Sequence, residues 1–225
     1  MPTSGFIIIN KPVGPTSHDI VNQLRKITGI KKIGHAGTLD PFASGVLVLA
    51  IGREATKQID KIVQTEKEYK ADLYLGAVTD TYDRTGKITE EKKVEKIEEK
   101  KIEEILKSFR GEQEQVPPMF SAKKIKGQKL YKLARQGREV ERKPVKINIS
   151  KIQLVKYSFP RLKIRVRCSK GTYIRSLAHD IGQKLGCGAY LEELQRTAVG
   201  DYALKESIDL DKINKDNWQK FLGKI

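Results

Sequence analysis

Six consecutive apolar residues, Val46-Leu47-Val48-Leu49-Ala50-Ile51, leave one segment of this chain with no polar side. The run is too short for a globular helix, and we read it as a strand buried within the protein. Phe6-Ile7-Ile8-Ile9 is a second strand-sized run. Two further segments alternate instead. Tyr69, Ala71, Leu73 and Leu75 face one way against Lys70, Asp72 and Tyr74, and Leu162, Ile164, Val166 and Cys168 point inward against Lys163, Arg165 and Arg167. Both are half-buried strands. No apolar run approaches the ~18 residues that span a bilayer, and no basic region followed by a long apolar stretch opens the chain. Cys168 and Cys187 make no C-x-x-C pair, which points to a reduced, cytoplasmic protein.

Helical periodicity fills the gaps. Ser17 is placed to cap a helix running to Thr28, with Ile20, Val21, Leu24 and Ile27 on one face and Gly29 as its stop. Residues 90–109 read as a charged helix with Val94, Ile97, Ile102, Ile105 and Leu106 inward, and 173–185 as a helix ending at Gly186. Residues 147–155 make another strand. The segment 113–146 changes character: it opens on Pro117-Pro118, carries a short helix near 129–136, and reads as an inserted basic arm. The 225 residues suit a single α+β domain, 1–225, with one appendage.

Charge is unevenly placed. The chain has 44 Lys+Arg against 28 Asp+Glu, a net charge of +16, and residues 111–175 alone hold 18 basic and 4 acidic residues. Clustered cations are rewarded by a polyanion through counterion release, so a nucleic-acid partner is expected and a membrane surface is not.

Several chemistries are missing from the sequence. There is no G-x-x-x-x-G-K phosphate loop, no G-x-G-x-x-G, and no H-x-x-x-H pair. His18, His35 and His179 are scattered and have no cysteine cluster near them, so neither a metal nor a cofactor is expected. The segment Gly34-His35-Ala36-Gly37-Thr38-Leu39-Asp40-Pro41-Phe42-Ala43-Ser44-Gly45 stands apart. Its glycines allow close backbone approach to a ligand, and Asp40 is held before a proline. Taken alone, the segment reads more readily as an ordinary turn.

Resemblance adds to this. Asn10-Lys11-Pro12-x-Gly14-x-Thr16-Ser17 and Gly34-His35-x-Gly37-Thr38-Leu39-Asp40-Pro41 resemble the opening motifs of the TruB family of pseudouridine synthases. Lys67-x-Tyr69 and Gly171-Thr172-Tyr173-Ile174-Arg175-Ser176-Leu177 resemble its later motifs, in the same order. The resemblance implies a pseudouridine synthase fold: a mixed, mostly antiparallel sheet with flanking helices and a central cleft. It also implies isomerisation of uridine in the T loop of tRNA, at position 55, without a cofactor. It gives Asp40 the catalytic carboxylate, Tyr69 the active-site tyrosine, and Arg175 the arginine paired with that aspartate. Tyr173 is the neighbouring tyrosine, Asp83 the acidic member of the same network, His35 the histidine that holds the RNA loop open, and Leu194 a wall of the uracil pocket. Lys11 either supports the fold or touches substrate.

The arm resembles the thumb of the stand-alone tRNA enzymes, with Phe120 where the family commonly has tyrosine and with Lys124, Lys129 and Lys132 as phosphate contacts. On this reading the affinity falls mainly on the T arm. The enzyme works as a monomer without an obligatory protein partner, and residues 203–225 are a tail too short for the family's usual C-terminal RNA-binding domain. The alternatives are a guide-RNA-dependent rRNA synthase of dyskerin type and a non-catalytic RNA-binding or chaperone protein on the same scaffold.

Overall fold

A computed structural model describes residues 3–121, 123–125 and 127–223; the side chains of Lys124 and Lys129 lie outside this description. In chain order the elements are β1 (Gly5–Lys11), α1 (Ser17–Thr28), β2 (Ile33–His35), β3 (Ser44–Ile51), α2 (Gly52–Gln64) and β4 (Lys67–Leu75). Then come β5 (Ala77–Thr79), β6 (Ile88–Glu91), α3 (Glu99–Lys107), β7 (Gly111–Gln115), β8 (Lys124–Ile125), β9 (Gln128–Lys129) and α4 (Leu130–Arg135). The last are β10 (Val145–Ser158), β11 (Arg161–Cys168), α5 (Ile174–Leu185), β12 (Ala189–Val199) and β13 (Tyr202–Ala203), followed by short 3₁₀ turns. These form two compact units, one of residues up to Tyr69 and from Leu194 onward, the other of Lys70–Glu193. The single domain expected over 1–225 thus has an internal division.

In the first unit the apolar run of β3 is central. β1 pairs with it antiparallel from Gly5↔Ile51 to Lys11↔Gly45. Its other edge is shared: β2 takes Leu49–Ile51, while Gln195 and Arg196 of β12 run parallel to Ser44 and Gly45. On one face Ile7, Ile9, Leu47, Leu49 and Ile51 pack with Ile20, Val21 and Leu24 of α1 and with Ile213 and Trp218 of the tail. On the other, Phe6, Val46, Val48 and Ala50 pack with Ala55 and Ile62 of α2. With helices on both faces, the strand has no wet side to mark with polar residues.

Thr16, rather than Ser17, caps α1. Its Oγ1 accepts from Asp19 N at 3.1 Å while Asp19 Oδ2 accepts from Thr16 N at 2.9 Å, a reciprocal capping box. Gly29 ends the helix in the left-handed conformation, as expected. Ser17, one residue inside, is buried and has a different task, described below.

The second unit orders its strands β4-β11-β10-β7. The helix expected over 90–109 forms only from Glu99. Ile88–Glu91 is drawn into a hairpin with β5, Lys92 N donates to Gly76 O, and Ile97 N donates to the Tyr157 hydroxyl. Strand pairing overrides the helical pattern there. β12 is not legible as a strand from periodicity. Leu191 and Leu194 are both buried although three residues apart, so the segment does not keep a period of two.

Helix α5 ends at the left-handed Gly186, and its Gly182 abuts the start of β12. A Cβ at position 182 would lie 2.1 Å from Ala189 N and 2.4 Å from Gly188 C. Replacing a helical glycine with alanine ordinarily gains about 1 kcal/mol. Here the clash with backbone outweighs that gain, and Gly182→Ala is expected to destabilise by roughly 2 kcal/mol. A denaturant titration checks it; a midpoint at or above the parent's would show that the helix can move away.

Candidate active site

The loop carrying Asp40 is held at almost every peptide. Leu39 N donates to Ser17 Oγ at 2.8 Å, and Ser17 Oγ donates back to Leu39 O at 3.2 Å. Asp40 O accepts from Ala43 N at 3.1 Å, and Pro41 O accepts from Gly14 N at 2.8 Å. Arg196 supplies the rest. Its Nη2 donates to Gly37 O at 3.0 Å, Nη1 to Thr38 O at 3.4 Å, and Nε to Val46 O at 2.7 Å. These bonds tie the loop to α1, to the loop after β1 and to β12. Asp40 itself is half-buried.

Sequence reasoning missed Arg196. It is 1% exposed, a charge in a buried strand position, and nothing in the irregular pattern of 189–199 marks it. The glycines flanking the loop fit around it. Gly45 has φ 106°, and a Cβ there would lie 2.2 Å from Arg196 O.

Lys11 is fully buried at the end of β1. Its Nζ donates to the carbonyls of Pro12 at 2.8 Å, Pro15 at 2.9 Å and Pro41 at 3.5 Å. These bonds join the end of β1 to the loop that carries Asp40. Burial pushes its pKa down to about 8; the Asp40 carboxylate pulls upward against that, and Arg196 adds to the lowering. Lys11 therefore remains mostly protonated at neutral pH and places positive charge near Asp40. His35, at the end of β2, is half-buried, and its Nδ1 is buried without a hydrogen-bond partner. Burial first, then Arg196, lowers its pKa, so the ring is neutral at physiological pH. Tyr69 on β4 and Leu194 on β12 are both buried, 8% exposed each.

The second unit holds Arg175, Asp83 and Tyr173. Arg175 and Asp83 are 5% and 3% exposed. Arg175 Nη1 donates to Asp83 Oδ2 at 3.2 Å and to Thr81 O at 3.1 Å, while Nη2 donates to Phe120 O at 2.7 Å. The turn between Thr81 and Asp83 passes through Tyr82, which has φ 60°, a left-handed conformation found at no other non-glycine position among the described residues. That turn lets a carbonyl and a carboxylate two residues apart meet one guanidinium. The Tyr82 ring stacks on His179, with centroids 4.1 Å apart. Asp83 is further fixed by Thr81 Oγ1 and Thr85 N, each at 2.9 Å. Tyr173 precedes α5, and Gln115 of β7 holds both its N–H (2.8 Å) and its C=O (3.0 Å).

The arm expected over 113–146 comprises the end of β7, the β8–β9 hairpin and α4, with Leu130 and Leu133 buried beneath it. Lys132 is exposed on α4; Lys124 and Lys129 are paired in the hairpin by their backbones, and their side chains lie outside the described residues. The basic stretch is not all here. Ten basic residues fall within 113–146, and seven fall within 147–170, on β10, β11 and the loop after them.

Known proteins resemble the chain in both sequence and fold. Residues 25–174 match the family model of the TruB family pseudouridylate synthase N-terminal domain, and residues 175–222 match that of the tRNA pseudouridylate synthase B C-terminal domain. A protein named tRNA pseudouridine synthase B from Clostridium tetani is 51% identical over 97% of this chain and 75% of its own length. Another of that name from Chlamydia muridarum is 48% identical over 98% of this chain and 90% of its own. Among solved structures, a chain of a Cbf5–Nop10–Gar1 complex superposes with a TM-score of 0.73 at 33% identity, covering 93% of this chain. A chain of an H/ACA ribonucleoprotein bound to a substrate RNA containing 2′-deoxyuridine gives 0.71 at 30% identity, covering 96%. This chain spans 53% and 55% of those two. By sequence, motif and fold, the chain belongs to the TruB family of pseudouridylate synthases.

Proposed function

We propose that this protein isomerises uridine to pseudouridine in the T loop of tRNA, at position 55, acting as a monomer with no obligatory protein partner. The observation that carries the reading is the fixed loop of Asp40: each peptide from Gly37 to Pro41 is hydrogen-bonded, leaving one carboxylate in a set position. The reaction needs one such group. The N1–C1′ bond of uridine breaks, the uracil turns, and C5 bonds to C1′; C5 gives up a proton and N1 gains one. Asp40 serves either as the nucleophile at C1′ or as the base that takes a sugar proton. Tyr69 packs on the base and accepts the C5 proton.

By the family resemblance Arg175 is the arginine that pairs with the catalytic aspartate, and within its own unit Asp83 and two carbonyls hold its guanidinium fixed. The uridine must leave its loop to be reached, and the neutral ring of His35 is suited to hold the RNA open without repelling its edges. The thumb, through Lys132 with Lys124 and Lys129, meets the T-arm phosphates. The relative named tRNA pseudouridine synthase B is nearer in sequence than the chain of the H/ACA ribonucleoprotein, at 51% against 30% identity, which favours tRNA over a guided rRNA substrate.

Purified protein incubated alone with an unmodified tRNA transcript is expected to convert one uridine, in the T loop, as mapped by chemical sequencing. Conversion elsewhere, or none, overturns the reading. Asp40→Asn is nearly isosteric but neither basic nor nucleophilic. It is expected to lower the rate by more than about 100-fold with RNA affinity little changed; turnover near the parent's would remove Asp40 from its role.

A further inference from the structure

The seven basic residues that continue the stretch beyond the thumb, within 147–170, have no part in the reaction just described, and most of them share one surface. Alternation along β11 sends Leu162, Ile164 and Val166 into the core and Lys163, Arg165 and Arg167 to the other face of the sheet. β4 does the same, with Ala71, Leu73 and Leu75 buried and Lys70, Asp72 and Tyr74 outward. Helix α5, which carries Arg175, buries Ile174, Leu177, Ala178 and Ile181, and only the apolar side of the sheet can share them. On the charged side Lys151, Lys156 and Arg167 are exposed, and Lys163 and Arg165 partly so.

Its charges are arranged against stability. Lys151 lies directly opposite Arg167, and Lys156 directly opposite Lys163. Like charges facing across a strand pair destabilise it. Acidic neighbours relieve part of the field: Asp72 lies 3.0 Å from Lys163, and Glu192 takes two hydrogen bonds from Arg161, at 2.8 and 2.9 Å. Among the described residues no salt bridge is formed by Lys151, Lys156 or Arg165, and Arg165 Nε is buried without a hydrogen-bond partner. Beside these cations Tyr74 and Tyr190 stack with centroids 5.2 Å apart, and Arg161 lies 6.0 Å over the Tyr74 ring. Cations facing one another beside aromatic rings on an open sheet suit a line of phosphates with bases alongside.

We propose that this charged face is a second RNA-binding surface, which takes the phosphate backbone of a part of tRNA outside the T arm. The proposal rests on the reading of the chain as a tRNA-modifying enzyme. It also accounts for a basic stretch that continues well past the thumb, where a T-arm grip alone would need only the first half.

The test is the triple variant Lys151→Gln, Arg165→Gln, Arg167→Gln, compared with the parent on full-length tRNA and on an isolated T-arm stem-loop. Kd is measured across a salt series and pseudouridine yield is followed. For full-length tRNA we expect at least a tenfold weaker Kd at low salt. The log–log salt slope should be shallower by about 2, since each phosphate that the protein no longer neutralises removes roughly 0.7–0.9 from it. For the stem-loop, affinity, slope and rate should match the parent's. Melting curves of both proteins check that the variant folds. An unchanged slope on full-length tRNA would overturn the proposal, as would an equal weakening on the stem-loop, which would assign the face to the T arm, or a retained RNA affinity with loss of binding to an acidic protein. If the parent made no pseudouridine in either RNA, it would be the enzymatic reading that had failed.

Discussion

A guanidinium with no access to water determines where Asp40 stands. At 1% exposure Arg196 must find its acceptors inside the protein, and three backbone carbonyls, of Gly37, Thr38 and Val46, provide them. The loop between β2 and β3 curls over the arginine to do so. Gly45 has to be glycine because its neighbour across the ladder is the Arg196 backbone itself. Lys11 works from the other side of the loop, on Pro41, and Ser17 from beneath, on Leu39. The fold itself thereby holds Asp40 in place, and in the reaction proposed above that placement would precede substrate binding, where positioning contributes most to a rate.

The protein uses its cations in two ways. Lys11 and Arg196 are taken out of water and bound to carbonyls, where burial is the main cause that lowers the lysine pKa to about 8. Arg175 is buried as well, but beside a carboxylate, Asp83, that offsets its desolvation. The remaining excess is kept outside. It divides between the arm and the outward face of β10 and β11, where charges in contact with water cost folding little unless they face one another.

How far the sequence can be read follows the regularity of each segment. β3, β4 and β11 keep a simple pattern, and their faces agree with the structure. Helix boundaries slip where two residues compete for one role. Thr16 and Ser17 are both capping types, and only the tertiary contact of Ser17 with Leu39 decides between them. The 90–109 segment has helical periodicity throughout, yet Glu90 and Glu91 are claimed by a partner strand and the helix starts only at Glu99, which is invisible to a local window. β12 carries an out-of-step pair of leucines and an arginine in a core position, so neither the strand nor its main side chain can be found from periodicity. The residue types around Asp40 allow a turn more readily than a site, and the motif resemblance is what separates the two.

The most direct test of this account is the single-turnover rate of Arg196→Met on tRNA, measured together with RNA affinity, with Arg196→Lys as a second variant. Methionine leaves the carbonyls of Gly37, Thr38 and Val46 without their donor, and lysine keeps the charge but not the planar fork. The account predicts a rate lower by about 100-fold for methionine, a partial recovery for lysine, and RNA binding close to the parent's in both. A folded Arg196→Met protein that modifies tRNA at the parental rate would contradict it, because Asp40 would then keep its position without the guanidinium.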